Sequence, residues 1–188
     1  MRGDESRGRA AKCASIHRAD SMVGRVLRGD GPTLRWYKDE RIEFMVYLTR
    51  KIEFSASHLY HNPAFSPEEN RRVFGKCNNP HGHGHNYVLE VTVEGEIDRR
   101  SGMVVDLKQL KEVLQREVTD VLDHRFLNEE VAAFCESIPT TENIAIEIWR
   151  MLATKLDFGR LYRVRLYETP DLFVDYFGPQ EQAASRQR

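Results

Sequence analysis

The chain has 188 residues, 40% of them apolar and 30% charged, with a formal net charge of −1. That length holds one domain with its own core, and the near-neutral balance excludes a nucleic-acid binder that works through bulk positive charge. The longest apolar run near the middle, Phe44-Met45-Val46-Tyr47-Leu48, falls far short of the roughly 20 residues a membrane span needs.

Three widely spaced cysteines, Cys13, Cys77 and Cys135, do not form a disulfide framework, so a reducing, cytoplasmic compartment is expected. No apolar h-region follows Met1, and no secretory signal is expected.

Residues 1–41 carry ten Lys/Arg against six Asp/Glu, a net of +4, and the other 147 residues carry 18 against 23, a net of −5. The basic segment is rich in Arg and Gly without an apolar period. It reads as a poorly ordered extension, ahead of a nucleic-acid-binding arm, which would interleave aromatics. An alternative is that translation starts at Met45. A folded domain is expected over residues 45–178, with a polar tail over 179–188.

Val46, Leu48, Ile52, Phe54 and Ala56 alternate along a first strand, interrupted by Arg50, and His58 continues their parity. The polar stretch from Leu59 to about Gly84 reads as a loop. Tyr87, Leu89, Val91 and Val93 mark a second strand ending at Gly95. Asp106 and Gln109 resemble a capping box, and Leu107, Leu110, Leu114, Val118 and Val121 predict one helical stripe. A second helix is expected from Thr140 or Thr141, just after Pro139. Ile144, Ile148, Leu152 and Leu156 line its inner face, and Gly159 stops it. Two strands follow, with Tyr162, Val164 and Leu166 on one, and Leu172, Val174 and Tyr176 on the other. Thr169-Pro170-Asp171 turns between them. The order β-β-α-α-β-β predicts an α+β fold: an antiparallel sheet with both helices on one face.

The densest chemical signal is His81-Gly82-His83-Gly84-His85 before the second strand. His83 and His85 share parity with Tyr87 and Leu89, so both point where the core-facing side chains point. Two imidazoles there, with His58 as a third, can hold one zinc ion and leave a fourth position open. His81/His83 is an equally spaced pair, and metal-free loop histidines are the bland alternative. Cys77 lies six residues before His83. A buried inert thiol is its ordinary reading, and a thiolate beside a cation is the functional one. Asp123-His124 follows the first helix and can relay a proton. Glu168 ends an apolar stripe, either as a solvated strand end or as an acceptor for a ligand with adjacent N–H donors.

Five segments, Phe54-Ser55-Ala56-Ser57-His58, Cys77 through Tyr87, Leu122-Asp123-His124, Thr140-Thr141-Glu142-Asn143 and Tyr167-Glu168-Thr169, resemble the successive motifs of the 6-pyruvoyl-tetrahydropterin synthases. The related 6-carboxytetrahydropterin synthases of the queuosine pathway share the fold. The resemblance spans about residues 46–178. It implies a T-fold subunit whose strands close into a barrel with neighbouring subunits, in trimers stacked into hexamers with active sites at subunit interfaces. It further implies zinc held by His58, His83 and His85. By the same resemblance Cys77 is expected to be the catalytic thiol, Asp123 and His124 to complete the proton-transfer group, Glu168 to anchor the pterin, and Thr141 and Glu142 to lie near its pocket.

The implied reaction converts 7,8-dihydroneopterin triphosphate to 6-pyruvoyl-tetrahydropterin with loss of triphosphate. The rival keeps the site but releases acetaldehyde and triphosphate to give 6-carboxytetrahydropterin. In that branch the cysteine sits four residues before the first ligand histidine. Cys77 is six before His83 and four before His81, so both spacings are present. A non-catalytic pterin-binding protein of the same fold is a further alternative, against which intact Cys77, Asp123 and His124 speak. Arg71, Arg72 and Lys76 are candidates for gripping the triphosphate, against the reading of a solvated basic loop. No nucleic acid or membrane is expected among the partners.

Overall fold

The computed structural model describes residues 45–179. The basic segment 1–41 and tail residues 180–188 lie outside the described residues. Strand β1 (Met45–His58) pairs antiparallel with β2 (His83–Glu96) along its full length, from Met45 opposite Glu96 to His58 opposite His83. Between them lies helix α1 (Pro67–Phe74), followed by a 3-10 turn, Gly75–Cys77. The stretch expected to be loop throughout therefore contains a helix. Its start is local chemistry: Ser66 Oγ accepts from the Glu69 N–H (3.1 Å), and Pro67 occupies the first turn.

Helix α2 (Leu107–Leu114) starts at Asp106, whose side chain accepts from the N–H of Lys108. It runs on through a π-helical turn (Gln115–Thr119) and a last α-helical turn, Asp120–Leu122. The wide turn shifts the apolar phase. Leu110, Val113, Leu114, Val118 and Leu122 are buried; of the residues expected in the stripe, Val121, beyond the wide turn, and Leu107, the first residue of the helix and ahead of that turn, are exposed. Strand β3 (Arg125–Phe126) and the short helix α3 (Leu127–Glu130) come next. Helix α4 (Thr141–Ala153) follows, capped by Thr140. It ends at Ala153, six residues before Gly159, which serves the turn into β4 (Arg160–Thr169) instead. Strand β5 (Leu172–Tyr176) closes the described fold.

The sheet order is β3-β1-β2-β4-β5. It has five strands where four were expected, and β3 runs parallel to β1, so the sheet is not wholly antiparallel. Two residues of strand carry no readable alternation, and β3 exists because Ala56 and Ser57 offer it an open edge. The remaining pairings are antiparallel. Phe54, Tyr87, Leu89, Val164 and Leu166 from the sheet join Leu110, Leu114, Ile144, Ile148 and Leu152 from the helices in one core. Each such large side chain stabilises the fold by about 1.5–3 kcal/mol on burial. No helix among the described residues is long and apolar enough to cross a membrane.

Candidate active site and metal centre

The β1–β2 register builds the histidine cluster. His58 and His83 are direct partners, and His85 stands two residues on along the same face. Gly82 makes the approach possible. Its φ is +68°, and a Cβ there would lie 3.0 Å from the Phe126 ring and 3.1 Å from the His58 carbonyl oxygen. Glu168 arrives from β4, one step beyond the Val88–Tyr167 pair, on the face of Tyr87.

The side chains converge. His58 Nε2 and His83 Nε2 are 3.1 Å apart. Glu168 Oε1 lies 3.0 Å from His85 Nε2 and 3.6 Å from His58 Nε2. The ligating atoms of His58, His83, His85 and Glu168 all fall within 4.8 Å of one another. Although His85 Nε2 is close to Glu168 Oε1, it is buried without a hydrogen bond. The carbonyl of Pro139, 2.9 Å from His58 Nδ1, can only accept, so Nδ1 carries the proton and Nε2 presents its lone pair to the cluster. Tyr87 Oη also approaches that Nδ1, at 3.1 Å. Burial, reinforced by His83, pulls the His58 imidazole down to about 4, and burial lowers His83 as well. Both are therefore neutral, the form that binds metal. Two nitrogens sharing one tetrahedral zinc ion stand about 3.3 Å apart, given zinc–nitrogen bonds of about 2.0–2.1 Å. The donor set and the His58–His83 separation fit zinc.

Beside the cluster is a cavity of about 380 Å3 whose walls include Cys77, Tyr60, Thr141, Glu142 and Glu168. The structure thus brings together the expected thiol and all three expected pterin-binding residues. Helix α4 places Thr141 in its first turn, where Thr140 Oγ1 accepts from the Asn143 N–H (3.3 Å). The Thr141 hydroxyl donates to Glu168 Oε2. Burial, and then the Glu168 carboxylate, push the Cys77 thiol above its ordinary value.

Asp123 and His124 form a separate pair. Asp123 Oδ2 lies 2.9 Å from His124 Nδ1, and Asp123 Oδ1 accepts from the Ser55 N–H (2.7 Å). The His124 N–H donates to the Ser55 carbonyl (2.6 Å). His124 is exposed and has a left-handed backbone, φ +57°. It borders a different cavity, of about 530 Å3, onto which His85 also opens. No hydrogen bond or ion pair among the described residues joins this pair to Cys77 or the histidine cluster.

His81 is exposed and outside the cluster, so the geometry separates the pair His83/His85 from the pair His81/His83. Arg71, Arg72 and Lys76 are exposed, and none lines the Cys77 cavity. Tyr60 is the residue sequence reasoning missed. It is two residues past His58, and that parity was the available signal. Burial pushes its phenol up to about 12.

Sheet, histidine cluster and thiol-lined cavity define an α+β protein with a candidate metal-dependent active site. Residues 47–179 match the family model described as 6-pyruvoyl tetrahydropterin synthase. The chain is 47% identical over 131 residues to the 6-pyruvoyl tetrahydrobiopterin synthase of Homo sapiens, spanning 70% of this chain and 90% of that protein. The solved structure of Caenorhabditis elegans 6-pyruvoyl tetrahydropterin synthase superposes with a TM-score of 0.70 at 41% identity, over 73% of this chain and 98% of that one. A 6-carboxy-5,6,7,8-tetrahydropterin synthase of Rickettsia felis is 29% identical over 150 residues, spanning 70% of this chain and 99% of that protein. The chain belongs to the 6-pyruvoyl tetrahydropterin synthase family.

Proposed function

We propose that this chain converts 7,8-dihydroneopterin triphosphate to 6-pyruvoyl-tetrahydropterin and triphosphate, with zinc held by His58, His83 and His85. The observation that carries the reading is the cavity shared by Cys77, Thr141 and Glu168 beside three converging imidazoles. Zinc, when bound, supplies a Lewis acid that lowers the pKa of the substrate's side-chain hydroxyls.

Glu168 accepts the paired N–H donors of the pterin's amide edge, held in place by the Thr141 hydroxyl. Cys77, as thiolate, removes a carbon-bound proton made acidic by the adjacent C=N of the dihydropterin. Asp123 fixes the tautomer of His124, which returns protons to ring N5 and C6 as the first side-chain carbinol becomes a ketone. Loss of the neighbouring C–H proton then expels the triphosphate, and the enol left behind takes up a proton at its terminal carbon to give the pyruvoyl group. The electrons are redistributed within the substrate, and no redox cofactor is consumed.

Because Asp123 and His124 lie apart from Cys77 in one chain, the complete site needs a second subunit. A homo-oligomer, a trimer or a hexamer of stacked trimers, would close the barrel and place the pair at the interface. Free Cys77 and Cys135 suit a reducing, cytoplasmic compartment.

The 6-carboxytetrahydropterin reading keeps one observation in its favour, the four-residue spacing from Cys77 to His81. The exposure of His81 counts against it, because the first ligand is then His83, six residues on. Turnover of 7,8-dihydroneopterin triphosphate by the purified protein, abolished by a chelator and restored by zinc, tests the proposal. Turnover that survives complete zinc removal would defeat it.

A further inference from the structure

Strand β1 stops pairing at His58, yet the next two residues are held as firmly as if a strand neighbour were present. Asn128 accepts from the Leu59 N–H at Oδ1 (2.8 Å) and donates from Nδ2 to the Leu59 carbonyl (2.9 Å). Asn78 Nδ2 donates to the Tyr60 carbonyl (2.8 Å), and the Tyr60 N–H donates to the Cys77 carbonyl (3.0 Å). Two asparagine amides thus prolong the ladder, and Tyr60 returns to the side of His58.

The Tyr60 ring stands 4.8 Å from the His58 ring, 6.3 Å from His83 and 6.0 Å from Phe74, centroid to centroid. Its hydroxyl lies beside Thr141, the residue that donates to Glu168. Its backbone fixes the turn that carries the thiol. The chemistry described so far gives Tyr60 no part, although it borders the metal cluster, the carboxylate and the thiol within one cavity.

We propose that Tyr60 is a specificity-determining residue of this site, its ring forming the wall against which a flat pterin ring lies between the metal cluster and Cys77. The inference rests on the pterin reading above and adds a contact to it. A phenol ring presents a rigid planar face at low conformational cost, and ring-on-ring contact adds to the gain from burial. Tyr60 and Glu168 line the same cavity, so a flat ligand whose N–H donors reach Glu168 lies in a cleft that Tyr60 borders. An aliphatic side chain there would leave the cleft wider and without a planar wall.

The test is fluorescence titration of the zinc-loaded protein with neopterin, which carries no triphosphate to lose and so does not turn over. Tyr60→Leu weakens binding about tenfold, with zinc content unchanged. Tyr60→Phe keeps the ring and recovers most of the affinity, which a merely structural role would not require. Wild-type affinity in Tyr60→Leu overturns the inference, as does equal loss in both variants or loss of zinc together with affinity. A wild-type protein that does not bind neopterin also overturns it. Neopterin binding without any conversion of the triphosphate would defeat the proposed reaction alone and leave Tyr60 as the wall of a binding site.

Discussion

His58 and His83 face one another across the β1–β2 ladder, their Nε2 atoms 3.1 Å apart. His58 carries its proton on Nδ1 toward Pro139, and burial keeps both rings neutral. Two neutral imidazoles held this close make a ready metal chelate. Metal analysis is therefore expected to show one zinc per subunit, lost in His83→Ala and retained in His81→Ala. The reverse pattern would move the site to His81/His83.

Glu168 is expected to matter for the pterin more than for the metal. Its Oε2 is bound by Thr141, and three imidazoles remain when the carboxylate is gone. Glu168→Ala should keep zinc and lose about 1.5–3 kcal/mol of pterin binding, roughly ten- to a hundredfold. Calorimetric titration reads this directly, and unchanged affinity would refute the anchoring role.

Cys77→Ala should retain fold, zinc and pterin binding while kcat falls about 10²–10⁴-fold, the usual contribution of a positioned acid–base group. In the zinc-free protein burial raises the thiol's pKa, so the neutral thiol persists to higher pH than for a free cysteine. Alkylation by iodoacetamide should accordingly set in at higher pH than for free cysteine, and at lower pH once zinc is bound. Alkylation with the profile of a free thiol in both forms would contradict this account.

The Asp123 carboxyl is held below its ordinary value of 3.8, chiefly by the Ser55 N–H and then by His124. A folded pKa below the unfolded one gives stability that is present above about 3.8 and is lost as pH falls through the folded value. Asp123→Asn should flatten that part of the acid limb of a stability–pH curve. An unaltered acid limb would show that the Ser55 contact carries no such linkage.

The convergence of the three histidines and Glu168 was legible because strand parity is local. His58, His83, His85 and Glu168 each continue an apolar stripe, and a shared face follows from period two alone. Tyr60 shares the parity of His58 but lay past the end of the ladder, where Asn78 and the Cys77 carbonyl, distant in sequence, supply its hydrogen bonds in place of a strand. Helix α1 had a readable start in Ser66, Pro67 and Glu69, hidden by the polarity of the surrounding stretch. Val121 was misplaced because the π-helical turn moves the buried face on to Leu122, a shift no 3.6-residue period reveals. The separation of Asp123-His124 from Cys77 is a property of three-dimensional placement and leaves no mark in spacing.

Gly82 tests the link between backbone and site. At φ +68°, with His58 O and the Phe126 ring in the way, alanine is strained and crowded. Gly82→Ala should cost about 1–3 kcal/mol, read as a lowered Tm, together with weaker zinc binding because the strain falls beside His83. A variant as stable as the parent would mean the turn has room to relax.

The most direct test of the central claim is product identification by mass after the zinc-loaded protein is incubated with 7,8-dihydroneopterin triphosphate. The account predicts 6-pyruvoyl-tetrahydropterin and free triphosphate, with no acetaldehyde. Release of acetaldehyde with 6-carboxytetrahydropterin, or recovery of the substrate unchanged, would contradict it.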